Sequence, residues 1–275
     1  MCTNYTPTSR DRLKAARLGV AHLPSNEWPL EVFPGYLSPI VVQPDASVGR
    51  VVPAALGDAL QLDVARFGLI PPWCRDAAHA RTIAKGTYNA RSESVADKPS
   101  FRNAWRARQF ALVPMEHYFD PNWEDAPSNG GKSVRWRIAL QSGEPFTCAA
   151  VWEHWLDRAS GEQVVSFSLL TVNADGHALC GRLHRPGDEK RMPVIIAAND
   201  HDAWLNATPD EACHLMRTTD ARLMTGGPAP LPRRTEVTAR KTMPLTTPMT
   251  TVEIAKNRNP VAKTRVLDGN NYSLF

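Results

Sequence analysis

The sequence predicts an α+β fold dominated by strands. Strand-like stretches outnumber helical ones, the two do not alternate regularly as a Rossmann fold or TIM barrel requires, and no internal repeat is present.

The elements follow in chain order. Thr8 or Ser9 caps a short helix expected to run through Leu18 and to end at Gly19. Residues 20–37 are rich in turn formers. Pro39–Gln43 and Leu60–Phe67 read as strands from their β-branched, alternating content. Pro71-Pro72 ends any central strand, and residues 74–88 read as an irregular loop. Pro99–Arg108 reads as a helix capped by Ser100, with Phe101, Ala104 and Trp105 on one face. Phe110–Pro114, Val134–Leu140, Phe146–Trp152 and Val164–Val172 are further strands, and Met192–Ala197 is a short one. In Val134–Leu140, Arg135, Arg137 and Ala139 alternate with apolar residues, which predicts a basic outer face. Asp200–Asn206 and Thr208–Thr218 read as helices, the second with Thr208 as cap and Pro209 in the first turn. From Gly226 the chain turns rich in Gly, Pro, Thr and Lys. The expected division is a domain over 1–235 and an extended or partly disordered C-terminal extension over 236–275.

With 275 residues, 43% hydrophobic and 22% charged, the chain has the composition of an ordinary globular protein that folds without disulfides or metals. No stretch approaches the roughly 18 apolar residues of a membrane span, and the polar start lacks the apolar run of a signal peptide. The expected location is the cytoplasm, with nucleoid association, and no membrane partner. Five widely spaced cysteines without a C-x-x-C pair argue against a disulfide framework or a zinc site, and Cys148 reads as core. The net charge of +4 permits nucleic-acid binding without demanding it. Arg75, Arg81, Arg91, Arg102, Arg106, Arg108, Arg135 and Arg137 would track a phosphate backbone if they shared a face; scattered, they are a solvated surface.

Several motifs fail. Gly130-Gly131-Lys132-Ser133 resembles part of a P-loop, but its first glycine would fall at Ala126 and no strand leads into it. There is no H-E-x-x-H and no G-x-S-x-G, and His79, His117, His154, His177 and His201 lack metal-ligand spacing. No metal and no cofactor is expected.

Cys2 is different because of where it sits. Once Met1 is removed, Cys2 carries an α-amine and a thiol on adjacent carbons, with ordinary pKa values of about 8 and 8.5. Both are partly deprotonated near neutral pH. Such an aminothiol suits an aldehyde: the amine forms an imine and the thiol closes a thiazolidine ring.

Three further segments accompany it: Phe67-Gly68-Leu69-Ile70-Pro71-Pro72-Trp73; Tyr88-Asn89-Ala90-Arg91-Ser92-Glu93 with Lys98–Arg102 and Trp105-Arg106; and Thr171–Pro193, which ends in Leu183-His184-Arg185-Pro186-Gly187-Asp188-Glu189-Lys190-Arg191-Met192-Pro193. Together with Met1-Cys2, these resemble the SRAP family (SOS response-associated peptidase-like, abasic site processing proteins) over roughly residues 1–205. The resemblance implies an SRAP-type fold in which an antiparallel or mixed sheet forms a barrel-like core with flanking helices. It implies a sensor of abasic sites in single-stranded DNA, acting as a monomer. Carried over by residue, Cys2 is the crosslinking nucleophile, Asn89 the amide that braces the crosslink, and His184 a proton mover beside the deoxyribose. Arg91 binds phosphate, Trp73 stacks on an unpaired base, as Trp123 also can, and Thr171 lies near the site.

The sequence departs from the family's pattern at three positions. Where the family has a catalytic glutamate after F-Y, this chain has Asp120, one bond and about 1.5 Å shorter. Glu116 is the alternative carboxylate. Phe67 and Ala111 replace a usual tryptophan and cysteine. His184 is also separated from Arg191-Met192-Pro193 by a longer segment, in which Pro186-Gly187 predicts a tight turn. Two other functions fit the same residues: a thiol autopeptidase with Cys2 as nucleophile and His184 as base, or a non-catalytic single-stranded DNA-binding module.

Overall fold

The computed structural model describes residues 3–15, 18, 20, 23–43, 60–124, 126–127 and 129–231. They fall within one compact unit, Met1–Leu231. The expected 236–275 extension and Cys2 lie outside the described residues. Along the chain run β1 (Asn4–Pro7), α1 (Arg10–Ala15), β2 (Leu37–Val42), β3 (Gln61–Phe67), α2 (Ala77–Ala84), β4 (Asn89–Arg91), α3 (Arg102–Arg106), β5 (Phe110–Asn122), β6 (Val134–Leu140), β7 (Phe146–Leu156) and β8 (Gln163–Asn173). They are followed by β9 (Arg191–Pro193), β10 (Ile195–Ile196), α4 (His201–Asn206), α5 (Pro209–Leu215) and β11 (Met224–Pro228).

The predicted strand-dominated α+β class and barrel-like core are what the structure has. β7, β8, β3, β2 and β5 pair in sequence, and β5 returns to β7, so five strands close a barrel. All ring pairings are antiparallel except β3 with β8, where Phe67 lies opposite Phe167 and their rings stack at 5.2 Å. Closure removes the exposed edges an open sheet would present. It also explains the nearly unbroken burial of β7, which is covered inside by the barrel and outside by α3 and neighbouring strands. Trp204 of α4, fully buried, donates its indole N–H to the Ala111 carbonyl at 2.9 Å and seals that helix onto β5. Cys148 is core, as expected. No helix among the described residues is long and apolar enough to cross a membrane.

Several expectations need correction. Residues 74–88 are not an irregular loop but contain α2. Asp76 accepts from the His79 amide at 2.8 Å as an N-cap, and the alanine-rich sequence after it favours helix. The helix expected over Pro99–Arg108 is only Arg102–Arg106, and its N-cap is Phe101, not Ser100. The strand expected to stop at Pro114 continues to Asn122. Pro114 stands where β5 leaves β7, which it pairs through Met115, for β1 and β6. A missing N–H costs nothing where the ladder changes partners. Met192–Ala197 is two strands split at Val194, whose amide donates to Leu170. β1 and β11 have no counterpart in the sequence reading: β1 is four residues long, and β11 is Met-Thr-Gly-Gly-Pro. The cap of α5 by Thr208, with Pro209 in the first turn, is as predicted; Glu211 completes a capping box that the sequence reading did not include, and the helix ends at Leu215, not Thr218. The Gly130-Gly131 segment has left-handed φ values of 60° and 76° and precedes β6, not a helix.

Gly68 shows why its segment carries a glycine. Its φ is +118°, and a Cβ there would stand 2.5 Å from the Ala84 carbonyl oxygen at the end of α2. Gly68→Ala is expected to cost roughly 2–5 kcal/mol, the strain of that backbone region plus overpacking. Urea unfolding measures this, and a change below about 0.5 kcal/mol, the size of an ordinary surface substitution, contradicts the account.

Candidate functional site

β5 organises the site. Its period-two alternation places Tyr118, Asp120 and Asn122 on one face, over the segment 180–184. Tyr118 Oη meets Cys180 Sγ at 3.3 Å, and Asn122 Nδ2 donates to the Arg182 carbonyl at 3.3 Å. Between them, Asp120 Oδ1 lies 3.5 Å from His184 Nε2. The His184 amide donates to Pro121 at 2.7 Å, and Leu183 bridges Asn122, so the histidine is fastened to the strand that bears the aspartate. His184 has φ +64°, a left-handed conformation unusual for a side-chain-bearing residue. Asp120 is 2% and His184 8% exposed. Their separation is at the outer limit of hydrogen bonding, the loose geometry that catalytic pairs show before a substrate tightens them.

Beside this pair opens a cavity of about 460 Å³ walled by Thr3, Asn4, Tyr88, Phe119, Asp120, Pro121, Ser133 and Arg135. β1 pairs antiparallel with β5, Asn4 opposite Phe119 and Tyr5 opposite Tyr118. The next step of that register sets Thr3 against Asp120. Tyr5 Oη donates to Ser38 Oγ at 2.7 Å and anchors β1 to β2. β1 is therefore joined to β5, outside the closed ring, beside the aspartate. Arg135 stands over the Phe119 ring at 3.2 Å, pairs with Glu31 and donates to the Ala229 carbonyl at 3.0 Å.

β4 pairs in parallel with β8, with Asn89 opposite Leu169 and Arg91 opposite Thr171. Tyr88, immediately before Asn89, reaches the cavity wall, and the Asn89 Oδ1 is buried. Thr171 is fully buried; its Oγ1 donates to Ala90 at 3.3 Å, which makes it a brace for β4. Arg91, half exposed, pairs with Glu189 at 2.7 Å. Trp73 is 42% exposed and outside the cavity wall; its Nε1 donates to the Pro99 carbonyl at 3.1 Å, and its ring tilts against His79. Trp123 lies under the Arg185 guanidinium at 5.0 Å.

Glu116 does not join Asp120. It pairs with Arg12 of α1, outside the cavity wall, and burial pushes its carboxyl above the usual range despite that arginine. The arginines do not form one uniform basic face. Arg108 holds the end of α4 through Ala207, Arg135 is paired, and Arg81 lines a different cavity.

The sequence reading missed the cavity wall contributed by Thr3, Asn4, Tyr88 and Ser133, and a network around Arg191. Arg191 is 1% exposed and is held by Glu93 at 3.0 and 2.9 Å, Glu189 at 2.6 Å and the Thr171 carbonyl at 2.5 Å. Tyr88, Glu93 and Arg191 all lie in the quoted motifs, which was the available signal. Chemically, the arrangement offers a pocket able to take a sugar-sized group, a carboxylate–imidazole pair at its side and one guanidinium, that of Arg135, in its wall.

The profile of a family described as SOS response associated peptidase (SRAP) matches residues 1–228. Over 168 residues the chain is 28% identical to the abasic site processing protein YoqW of Bacillus subtilis strain 168, covering 60% of this chain and 67% of that protein. It is 27% identical over 168 residues to the abasic site processing protein YoaM of the same bacterium, covering 60% and 66% respectively. Among solved structures, a Bordetella bronchiseptica protein superposes with a TM-score of 0.71 at 28% identity, covering 84% of this chain and 100% of that one. A Bacteroides thetaiotaomicron protein shares the fold with a TM-score of 0.66 at 24% identity, covering 82% and 90%.

Proposed function

Because the chain belongs to the SOS response associated peptidase family, we propose that it processes abasic sites in DNA, capturing the lesion in single strands as a thiazolidine on Cys2. One observation carries the reading. The cavity that Thr3 and Asn4 help to wall also includes Asp120, and His184 stands 3.5 Å from that carboxylate. Thr3, the residue after Cys2 in the sequence, is part of that wall, which supports a reaction of the Cys2 aminothiol at this pocket.

Removal of Met1 hydrolyses the Met1–Cys2 peptide bond with one water and releases methionine; the capture itself then balances without any other reactant. Loss of Met1 frees the α-amine. The abasic sugar opens to its C1′ aldehyde, a step that needs one proton removed from the hydroxyl and one delivered to the ring oxygen. Asp120 and His184 exchange those protons. The amine adds to C1′ and water leaves, forming an imine. The Cys2 sulfur then bonds to the same carbon while its proton passes to the nitrogen. The product is the two reactants less one water. Asn89 braces the ring through its amide, Arg91 holds backbone phosphate, and Trp73 stacks on an unpaired base, which favours single strands. Arg135 adds a cation at the cavity wall.

The test uses the full chain with a single-stranded oligonucleotide bearing one abasic site, beside an unmodified strand and a duplex. A denaturing gel is expected to show an adduct with the abasic single strand alone. Intact mass is expected to equal protein without Met1 plus DNA minus one water. No adduct, or an adduct that retains Met1, overturns the reading.

A further inference from the structure

Resting on the DNA-processing reading above, we propose that Arg91, Arg191 and Asn173 form a phosphodiester-binding site that the chain's own Glu189 fills in the absence of DNA. Glu189 is thus a built-in competitor for the strand's phosphate. Its carboxylate bridges two guanidiniums, with Oε2 at 2.7 Å from Arg91 and Oε1 at 2.6 Å from Arg191, and Asn173 Nδ2 donates to Oε1 at 3.3 Å. Arginine forks accept a carboxylate and a phosphate with the same geometry, so an anion held between two of them marks a place for either.

The two arginines differ in a way that makes exchange feasible. Arg191 is immobilised from behind by Glu93 and by the Thr171 carbonyl at 2.5 Å, so it stays in place when Glu189 leaves. Arg91 is 53% exposed, and Glu189 is its ion partner among the described residues. The Glu189 side chain is itself a third exposed and sits on a connecting segment, not in the barrel. That segment is folded independently of the carboxylate. Asp188 donates back to Arg185 at 3.1 Å across a turn with Pro186 and a left-handed Gly187, and Lys190 Nζ donates to the Arg185 carbonyl at 2.8 Å. Rotation of one side chain therefore vacates the site. The charges favour the same conclusion. Two guanidiniums face two carboxylates, Glu93 and Glu189, so the closed cluster is neutral and exerts little pull on a polyanion. Expelling Glu189 leaves a net positive site for one phosphate, and the freed carboxylate regains water.

The experiment compares wild type, Glu189→Gln and Asp188→Asn as full chains binding an unmodified single strand at low salt, read by fluorescence anisotropy. Asp188 is the exposed neighbour that pairs with no guanidinium among the described residues and carries the same charge. Glu189→Gln is expected to bind about three- to fivefold tighter, the upper part of the scale on which one competing exposed ion pair acts, and Asp188→Asn less than about twofold. A second arm titrates inorganic phosphate. Millimolar phosphate is expected to raise the Tm of Glu189→Gln and of Glu189→Ala, and to leave wild type unchanged. Equal gains for Glu189→Gln and Asp188→Asn mean a net-charge effect and overturn the proposal, as does no gain at all. If no variant binds DNA while phosphate stabilises the Glu189 variants alone, the anion site stands and the DNA reading falls.

Discussion

Cys2→Ala is expected to abolish the covalent adduct with abasic single-stranded DNA, a loss of at least about 100-fold, while non-covalent binding to the same strand is expected to change less than twofold. The asymmetry follows from the chemistry. Alanine keeps the α-amine, so an imine still forms, but imines hydrolyse and do not survive denaturation. The sulfur converts that reversible linkage into a ring. Phosphate contacts and stacking are made by other side chains and persist. Borohydride supplies a check within the same experiment: it reduces the imine and restores a gel-stable adduct to Cys2→Ala alone. A Cys2→Ala protein that crosslinks like wild type without a reductant would sink the proposed chemistry.

Asp120→Asn is expected to slow crosslinking by about 100-fold, within the range of a lost general acid–base group, with little change in strand affinity. Asparagine matches aspartate in shape, so a site closed to solvent accepts it, and the Tm is expected to hold. What is lost is the carboxylate that exchanges protons with His184. Glu116→Gln is the contrast. It weakens the pair with Arg12 and lowers stability modestly, and leaves the rate unchanged. Single-turnover kinetics on a fluorescent abasic oligonucleotide separates the two variants. If Glu116→Gln slows the reaction and Asp120→Asn does not, the carboxylate is misassigned. Asp120 being one bond shorter than the family's glutamate fits a strand that carries it against a histidine fastened to the same backbone through Pro121.

How much was legible depended on whether the signal was local. The start of α5 is a property of Thr208 and Pro209 at adjacent positions, and it was read correctly. The Pro186-Gly187 turn was equally local: proline presets one φ and glycine supplies the positive one. α2 was missed although Asp76 and the alanines after it spell a capped helix, because the prolines at 71 and 72 drew the reading toward irregular structure. β5 was cut short for a related reason. A proline counts against a strand only when its nitrogen faces a partner that needs it, and at Pro114 the neighbouring strands change.

By itself the sequence determined the fold class, the family and the chemical types at hand: a cysteine near the start, an amide, a carboxylate, an imidazole and arginines, each within a short motif. Only the tertiary structure decided which of them meet. β5 carries both Glu116 and Asp120, and nothing local distinguishes them. The pairing of β1 with β5, and the return of residues 180–184 across its other face, put Asp120 beside His184 and leave Glu116 to Arg12. The same holds for Glu189, whose role depends on β4, β8 and β9 bringing Arg91 and Arg191 to either side of one carboxylate. Motifs specify side chains over a few residues of chain, whereas a site is made of distances across a closed barrel. Those distances are set by strand register and by which faces the barrel buries, and both are properties of the whole packed chain.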